Sequence, residues 1–444
     1  MESKARSDKP SAGKGEAVME TIKRLLRSIE LRSEQVRTGR WVLIAIFLGA
    51  FALRAVLGLL HPMILPDSVD YLALAHRILN GMSYRVTGMY AKRMPGYPVM
   101  LAGIGLMGGL KIHVVLLIQA VMGAAVALIT FAIARPFGMI AALLAALLTA
   151  LDPLCIGFSA AILTEIPFML LFVAALWLLM QLQNNPASLG RWIGFAVLFA
   201  LGVYVRAEVS LCLFPLLGWV ILQHRKSPQI GRAAAGAACA LGLIMLIMLP
   251  WWVRNNRLFH QDFFRFTTLQ GISLYESVYS GATGGPRQSD IIRPASIQKL
   301  NESERDLAWT HRAFADILHH PMRILRLAFV KIIRTWSPWL HAKGYSHRWI
   351  NALLCLWYIP IFMLAAAGAW AVRRRPGPAG LILIPILYFT AMHAIFLGSV
   401  RYRVPVMPLV FVLAGLGVQH WIALGRRKDP PENTPAPAKG ASNF

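Results

Sequence analysis

Apolar stretches close to the roughly 20 residues that a helix needs to cross a bilayer recur from Trp41 to Leu424. Few architectures accept that pattern, because a backbone inside a bilayer must satisfy its own hydrogen bonds, which leaves helices or closed barrels. Strand-type alternation is absent from these stretches, so the chain reads as an all-α polytopic membrane protein. Composition agrees. Hydrophobic residues make up 57% of the 444 and charged residues only 15%, too apolar for an ordinary soluble domain.

About ten spans are expected: Trp41–His61, His113–Ala134, Phe137–Leu151, Thr164–Gln183, Trp192–Val205, Val209–His224, Ala233–Val253, Trp349–Val372, Gly380–Leu397 and Val404–Leu424. The stretch Pro95 to Leu110 is also apolar, but it is Gly-rich and broken by Pro, and reads as a juxtamembrane or re-entrant helix. With it held to one side, the basic N-terminal forty residues, Arg135, Arg191, Arg225-Lys226, Arg373 to Arg375 and Arg426 to Lys428 all fall on one face. The positive-inside rule makes that face cytoplasmic. Asp67, Asp70, Arg93, Glu165, Arg206 and Arg401 then lie on the other. The expected organisation is a basic segment 1–40, an N-terminal membrane module 41–253 with an outer loop 62–112, an extracytoplasmic segment 254–348, C-terminal spans 349–424 and a disordered tail 425–444.

No cleavable leader precedes the first span, which is expected to act as an uncleaved anchor. The four cysteines lie in or beside apolar spans without paired spacing, so neither a disulfide framework nor a zinc site is indicated. The formal net charge of +25 does not call for nucleic acid, because orientation and attraction to anionic lipid account for the cytoplasmic clusters. The arginines between Arg254 and Trp349 run against the positive-inside rule, and anionic ligands on the outer face would account for them. Within that segment Ala308 to Thr335 reads as a helix, broken at His320-Pro321, that could lie on the membrane.

Titratable residues at the outer face carry the chemistry. Asp67 and Asp70 precede an apolar-periodic stretch, where Asp67 as N-cap and Asp70 completing a box-like pair would explain both. The same spacing puts both carboxylates near one face of the first turn, where either could act as a base or bind a metal. Glu165 stands at a helix entrance, favourable to the helix dipole, yet an ionisable group at membrane depth is also a functional candidate. Arg54, inside the first span, either snorkels or pairs structurally.

The order of the motifs resembles that of bacterial GT-C glycosyltransferases, relatives of protein mannosyltransferases and of the aminoarabinose and galacturonic acid transferases that modify lipid A. It rests on the acidic loop after the first span, Arg93-Met-Pro-Gly-Tyr-Pro98, Thr164-Glu165-Ile-Pro167, Arg206-Ala-Glu208, Pro250-Trp-Trp-Val-Arg254, His320-Pro321, Trp336-Ser-Pro338 and Arg401-Tyr-Arg-Val-Pro405. The resemblance implies a GT-C fold in a bacterial inner membrane with the site on the extracytoplasmic face. It implies that Asp67 is the base, with Asp70 in support and Glu165 as a second acid; that Arg93, Arg206 and Arg401 bind a donor phosphate; and that Asp67 and Glu165 are the ligands of any divalent metal. Tyr71, Tyr97, Glu208 and His393 are candidate substrate contacts, although His393 also reads as a satisfied buried histidine. The chain departs from the family pattern where Ser68 follows Asp67, where Ala207 stands between Arg206 and Glu208, and at Thr268 to Gly271.

The implied partners are a polyprenyl-phosphate sugar donor, an envelope acceptor that is a glycolipid, a polysaccharide or a protein, and membrane lipid, with no nucleic acid. Guanidinium forks suit a phosphate leaving group, and a carboxylate near the acceptor hydroxyl supplies general base catalysis. A flippase of lipid-linked sugars or a non-enzymatic assembly component are the competing readings; a flippase would call for inverted repeats and helices broken at the midplane, and no convincing repeat is found.

Overall fold

The computed structural model describes residues 39–260, 264–341, 347–374 and 377–428. The basic N-terminal segment and the C-terminal tail expected from the sequence lie outside them, apart from a few residues. Among the described residues the chain is an all-α bundle without a strand. The outer loop follows the first helix, α1 (Gly39–Leu60). It contains α2 (Pro66–Leu79) and α3 (Gly96–Leu106) before α4 (Ile112–Ala134). Gly58, near the end of α1, sits against Leu116 at the start of α4. The chain therefore leaves and re-enters the bundle at one end, and α3 does not cross, as its Gly and Pro content requires.

The bundle continues through α5 (Met139–Leu151), α6 (Pro153–Ser159), α7 (Glu165–Asn184), α8 (Leu189–Val205), α9 (Leu213–Gln223) and α10 (Ile230–Phe259). Outside the spans lie α11 (Gln270–Val278), α12 (Glu302–His319) and α13 (Pro321–Trp336). The chain closes with α14 (Arg348–Val372), α15 (Gly380–Ile395), the short α16 (Val400–Arg403) and α17 (Met407–Lys428). Among the described residues seven helical segments are long and apolar enough to cross a membrane, or eight if the bent pair α5 and α6 forms one span. Among the described residues, fewer than the ten expected stretches reach that length. Leu189–Val205 and Ala207–Gln223, expected as two of the ten, are shorter apolar helices.

Burial sorts the helices. In α7, 67% of the apolar window is inside the protein, against 22% in α1 and 28% in α14. A helix that is apolar all round can occupy the centre, and a bundle in lipid leaves large apolar side chains on its outer faces. The α14 and α17 helices cross at glycines: a Cβ on Gly368 would lie 1.9 Å from the Leu413 carbonyl oxygen, and one on Gly417 2.1 Å from that of Leu364. Small residues let the two backbones touch, which is how helices associate without a hydrophobic drive.

Asp152 and Arg54 organise the break between α5 and α6, where the axis bends by 48°. Asp152 caps α6, its Oδ1 accepting from the Cys155 N–H at 2.8 Å, while Oδ2 accepts from the Tyr358 hydroxyl at 2.7 Å. Arg54 donates to the Thr149 and Ala150 carbonyls at 2.8 and 2.7 Å. It is 1% exposed, so it does not snorkel: it supplies the donors that the last carbonyls of α5 lack inside an apolar bundle. Outside the spans, α12 begins at an Asn301/Glu304 capping box, and it parts from α13 at His320-Pro321, where the sequence predicts a break.

Replacing Arg54 with Leu strands two carbonyls that have no water to turn to. The expected loss is about 2–3 kcal/mol, checked as a lower midpoint of thermal unfolding in detergent; an unchanged midpoint would contradict the capping role.

Candidate active site

The residues expected on the outer face converge at the end of the bundle where α1 and α10 finish and α7 begins. Pro66 opens α2, and the Ser68 hydroxyl accepts from the Leu65 N–H at 3.0 Å. Ser68, not an aspartate, therefore completes the helix start, and Asp67 and Asp70 are not caps. Proline at N1 needs no donor partner there. Both carboxylates are left to turn toward the loop that carries Lys92 and Arg93.

Eight side chains form one chain of alternating charge. Lys92 donates to Asp70 at 3.0 Å. Arg93 donates to Asp70 at 2.9 and 3.0 Å and to Asp67 Oδ1 at 2.5 Å. Arg401 donates from Nη1 to Asp67 Oδ2 at 2.8 Å and from Nε to Glu165 Oε1. Arg206 reaches the same Glu165 oxygen at 3.1 Å and Glu208 at 2.9 Å. Four cations and four acids leave the chain without net charge.

Glu165 is fully buried, whereas the side chains of Asp67 and Arg401 are each 26% exposed. The network thus runs from the packed interior to an open end. Burial raises the Asp67 carboxyl, but the guanidiniums of Arg93 and Arg401 outweigh it and hold it below the ordinary carboxylate value.

The other expected residues lie beside this chain or behind it. The Arg93 guanidinium sits 5.4 Å from the centre of the Tyr71 ring, and Tyr71 packs edge-on against Tyr97. Tyr97 is itself buried and donates to Gln119 at 2.6 Å. It supports Tyr71 from within and is not open to a substrate in this arrangement. His393 is buried and stacks on Tyr402, centroids 4.4 Å apart, with Nδ1 3.2 Å from the Leu397 carbonyl oxygen. That matches a packed histidine; it is not brought into the network.

The metal assignment does not fit this donor set. Both Asp67 oxygens hold guanidiniums, and the Arg401 guanidinium bonds both carboxylates that would share an ion. Among the described residues no three His, Cys, Asp or Glu side chains gather where they could hold a metal.

Sequence reasoning missed Glu302. It opens α12, far along the chain, yet its carboxylate accepts from the Tyr90 N–H at 2.6 Å and the Ala91 N–H at 2.9 Å. Thr268 donates to the same carboxylate, and its N–H bonds the Ala91 carbonyl at 3.0 Å. From the other side the Tyr84 hydroxyl lies 3.1 Å from the Arg93 carbonyl oxygen. The loop that aims Lys92 and Arg93 is thus held at Tyr90 and Ala91 by a segment more than 200 residues away. Only the approach of an acid to bare backbone donors marks this role, and a sequence does not show it.

Residues 92–253 match a family model described as dolichyl-phosphate-mannose-protein mannosyltransferase. The matched stretch holds Arg93, Glu165 and Arg206, and neither Asp67 nor Arg401. Solved structures similar to the chain include the archaeal oligosaccharyltransferase AglB from Archaeoglobus fulgidus in complex with an inhibitory peptide and a dolichol-phosphate. It is 13% identical with a TM-score of 0.47, over 90% of this chain and 53% of that one. ArnT from Cupriavidus metallidurans bound to undecaprenyl phosphate is 16% identical with a TM-score of 0.42, over 88% of this chain and 79% of that one. The chain spans about half the length of the oligosaccharyltransferase. No curated protein matches it in sequence.

Two predictions follow from the network. The Asp67 pairing stabilises the fold above the ordinary carboxylate pKa of about 3.9 and is lost as pH falls through the lower folded value. Arg93→Gln removes one of the two charges that oppose burial, so the acid limb of thermal stability should move to higher pH. Unfolding midpoints recorded across acidic pH for both proteins check it, and coincident limbs would refute it. Separately, Glu302→Ala should speed amide exchange at Tyr90 and Ala91 by roughly tenfold or more, read by hydrogen-exchange mass spectrometry.

Proposed function

We propose that the chain is a membrane glycosyltransferase that moves a sugar from a polyprenyl-phosphate donor to an envelope acceptor, at the extracytoplasmic face of a bacterial inner membrane. The observation that carries this reading is the convergence of Arg93 and Arg401 on the two oxygens of Asp67 at the open end of the network. The match of 92–253 to a lipid-phosphate-sugar transferase family supports it. So does the distribution of basic residues, since Arg135, Arg191, Arg225, Lys226 and Arg373 lie in or beside the connections at the opposite end.

The geometry accommodates the reaction without a separate acid. A donor phosphate entering between Arg93 and Arg401 takes up guanidinium donors now engaged with Asp67, and forked Arg–phosphate pairs stabilise the leaving anion. Asp67, relieved of part of its pairing and still largely buried, becomes more basic as the acceptor hydroxyl arrives. It takes the hydroxyl proton while the acceptor oxygen bonds the anomeric carbon and the bond to the donor phosphate breaks. A single displacement inverts that centre. Glu165 and Arg206 act behind Arg401, with the buried carboxylate fixing the angle of the guanidinium. Asp70 and Lys92 do the same for Arg93.

Asp67→Asn keeps the shape of the side chain and removes the base. Transfer of a radiolabelled sugar from a polyprenyl-phosphate donor to membrane acceptors should fall by at least about 10²-fold, with donor binding retained. Unchanged transfer would sink Asp67 as the base. Envelope glycolipids and glycoproteins from cells with and without the chain, compared by mass, should differ by one sugar on one acceptor class; no difference would count against the whole reading.

A further inference from the structure

Beside the network lies a groove of about 370 Å³ lined by Ser83, Tyr84, Tyr90, Arg254, Arg257 and Leu258, within the roughly 300–1,000 Å³ usual for ligand sites. Its wall is a tight hairpin: Val86 and Met89 exchange both backbone hydrogen bonds at 2.9 Å, and Thr87 and Gly88 take up positive φ. Arg254 pins that wall by donating to the Tyr84 and Tyr90 carbonyls at 3.1 and 2.9 Å. It lies 4.6 Å from the centre of the Trp251 ring below. The groove is preformed.

Its charge differs in kind from that of the network. Arg77 donates to the Ser83 carbonyl and hydroxyl, Arg85 lies 5.1 Å from the centre of the Tyr90 ring, Arg254 bonds carbonyls and the Asn255 amide, and Arg257 stands exposed one turn further along α10. Among the described residues none of the four forms an ion pair. Glu302 is the acid that faces Arg254, and its oxygens are taken by Tyr90, Ala91 and Thr268. Three guanidiniums without an acid partner among the described residues, with Arg254 balanced in part by Glu302, stand around two tyrosines and match an anionic group carried on a sugar ring: the guanidiniums meet phosphate or carboxylate, and the aromatic rings offer an apolar face to the ring carbons.

We infer that this groove is a subsite for the acceptor, and that it takes a phosphorylated or carboxylated sugar. The inference rests on the proposed transferase reading, and it names the acceptor's chemistry. Tyr84 links the two places, since its ring lines the groove while its hydroxyl meets the Arg93 carbonyl. An acceptor held by its anionic group is thereby one residue away from the side chains that face the donor phosphate.

Binding tests it without any transfer assay. The full chain in detergent is titrated with glucose 6-phosphate, glucose 1-phosphate, inorganic phosphate and glucose, alongside an Arg85→Gln/Arg257→Gln double variant whose unfolding midpoint is checked to match the parent. Both altered residues are exposed, so folding should survive. Expected is saturable binding of the sugar phosphates, weaker binding of phosphate, none of glucose, and a loss of roughly tenfold or more in the variant. Binding equal in both proteins, or absent from the parent, overturns the subsite. In a transfer assay the same variant should raise the acceptor KM and leave the donor KM alone. Sugar-phosphate binding that the variant abolishes, in a chain with no transfer activity, would keep the groove as an anionic-sugar site and remove the transferase reading and the acceptor role with it.

Discussion

Arg401 touches Asp67 on the outer loop and Glu165 at the head of the central helix, residues 334 and 236 positions away. A carboxylate as deeply enclosed as Glu165 cannot keep its charge without a partner, since stranding one half of a buried pair costs roughly 3–5 kcal/mol. Two arginines meet it, one from the turn after α8 and one from α16, and so both turns must close on the start of α7. The N-terminal end of α7 adds its own partial positive charge to the same carboxylate. Once Arg401 is fixed by Glu165, its second nitrogen can reach only what lies outward, and Asp67 is there. The position of the outer loop thus follows from the need to neutralise one buried acid.

A second buried cation solves a different problem by the same means. Arg54 has carbonyl oxygens as its direct partners, the last ones of α5, where the 48° bend to α6 leaves them without intrahelical donors. Gly123 makes the space, for a Cβ there would lie 2.6 Å from Arg54 Nε. The bend turns the chain so that residues 160–164 run beside Met63, whose N–H bonds the Ala160 carbonyl at 2.9 Å, and it delivers Glu165 to the buried end of the charged network. Arg54 and Arg401 lie at different depths, and both spend charge on geometry.

What the sequence made legible was whatever has a period or a punctuation mark. Apolar runs located most of the helices, Pro and Gly kept residues 96–106 from being taken for a crossing, and His320-Pro321 marked the break between α12 and α13. Alternation of basic residues between loops put Asp67, Arg93, Glu165, Arg206 and Arg401 at one end, where the structure brings them into contact. Partnership was not legible. Asp67 and Asp70 read as caps because capping is a local pattern, while the Arg93 loop that claims them lies some 25 residues on. Arg54 read as a candidate for snorkelling because the bent helix end that needs it is remote. Tyr97 and His393 sit in suggestive motifs and are packed behind the site. Span length was less legible: α8 and α9 are apolar but short, and hydropathy does not see that Ala207 to Cys212, ahead of α9, is 3₁₀ helix.

The contrast between the charged network and the groove beside it follows from the same electrostatics. In the network every guanidinium has a carboxylate, so the site carries little net charge, and an anion gains by exchanging with Asp67 instead of adding to an unpaired cation. Such a site favours a ligand that can replace a carboxylate's two oxygens with its own, which a phosphate does. The groove has no carboxylate to displace. Arg77 and Arg254 are oriented by carbonyls and Arg85 by the Tyr90 ring, none of which cancels a charge, so the groove's attraction acts over a distance of about a Debye length, roughly 8 Å at physiological ionic strength. On the transferase reading proposed above, a balanced interior that exchanges one anion for another, flanked by a surface that gathers anions, would separate selecting a leaving group from collecting an acceptor.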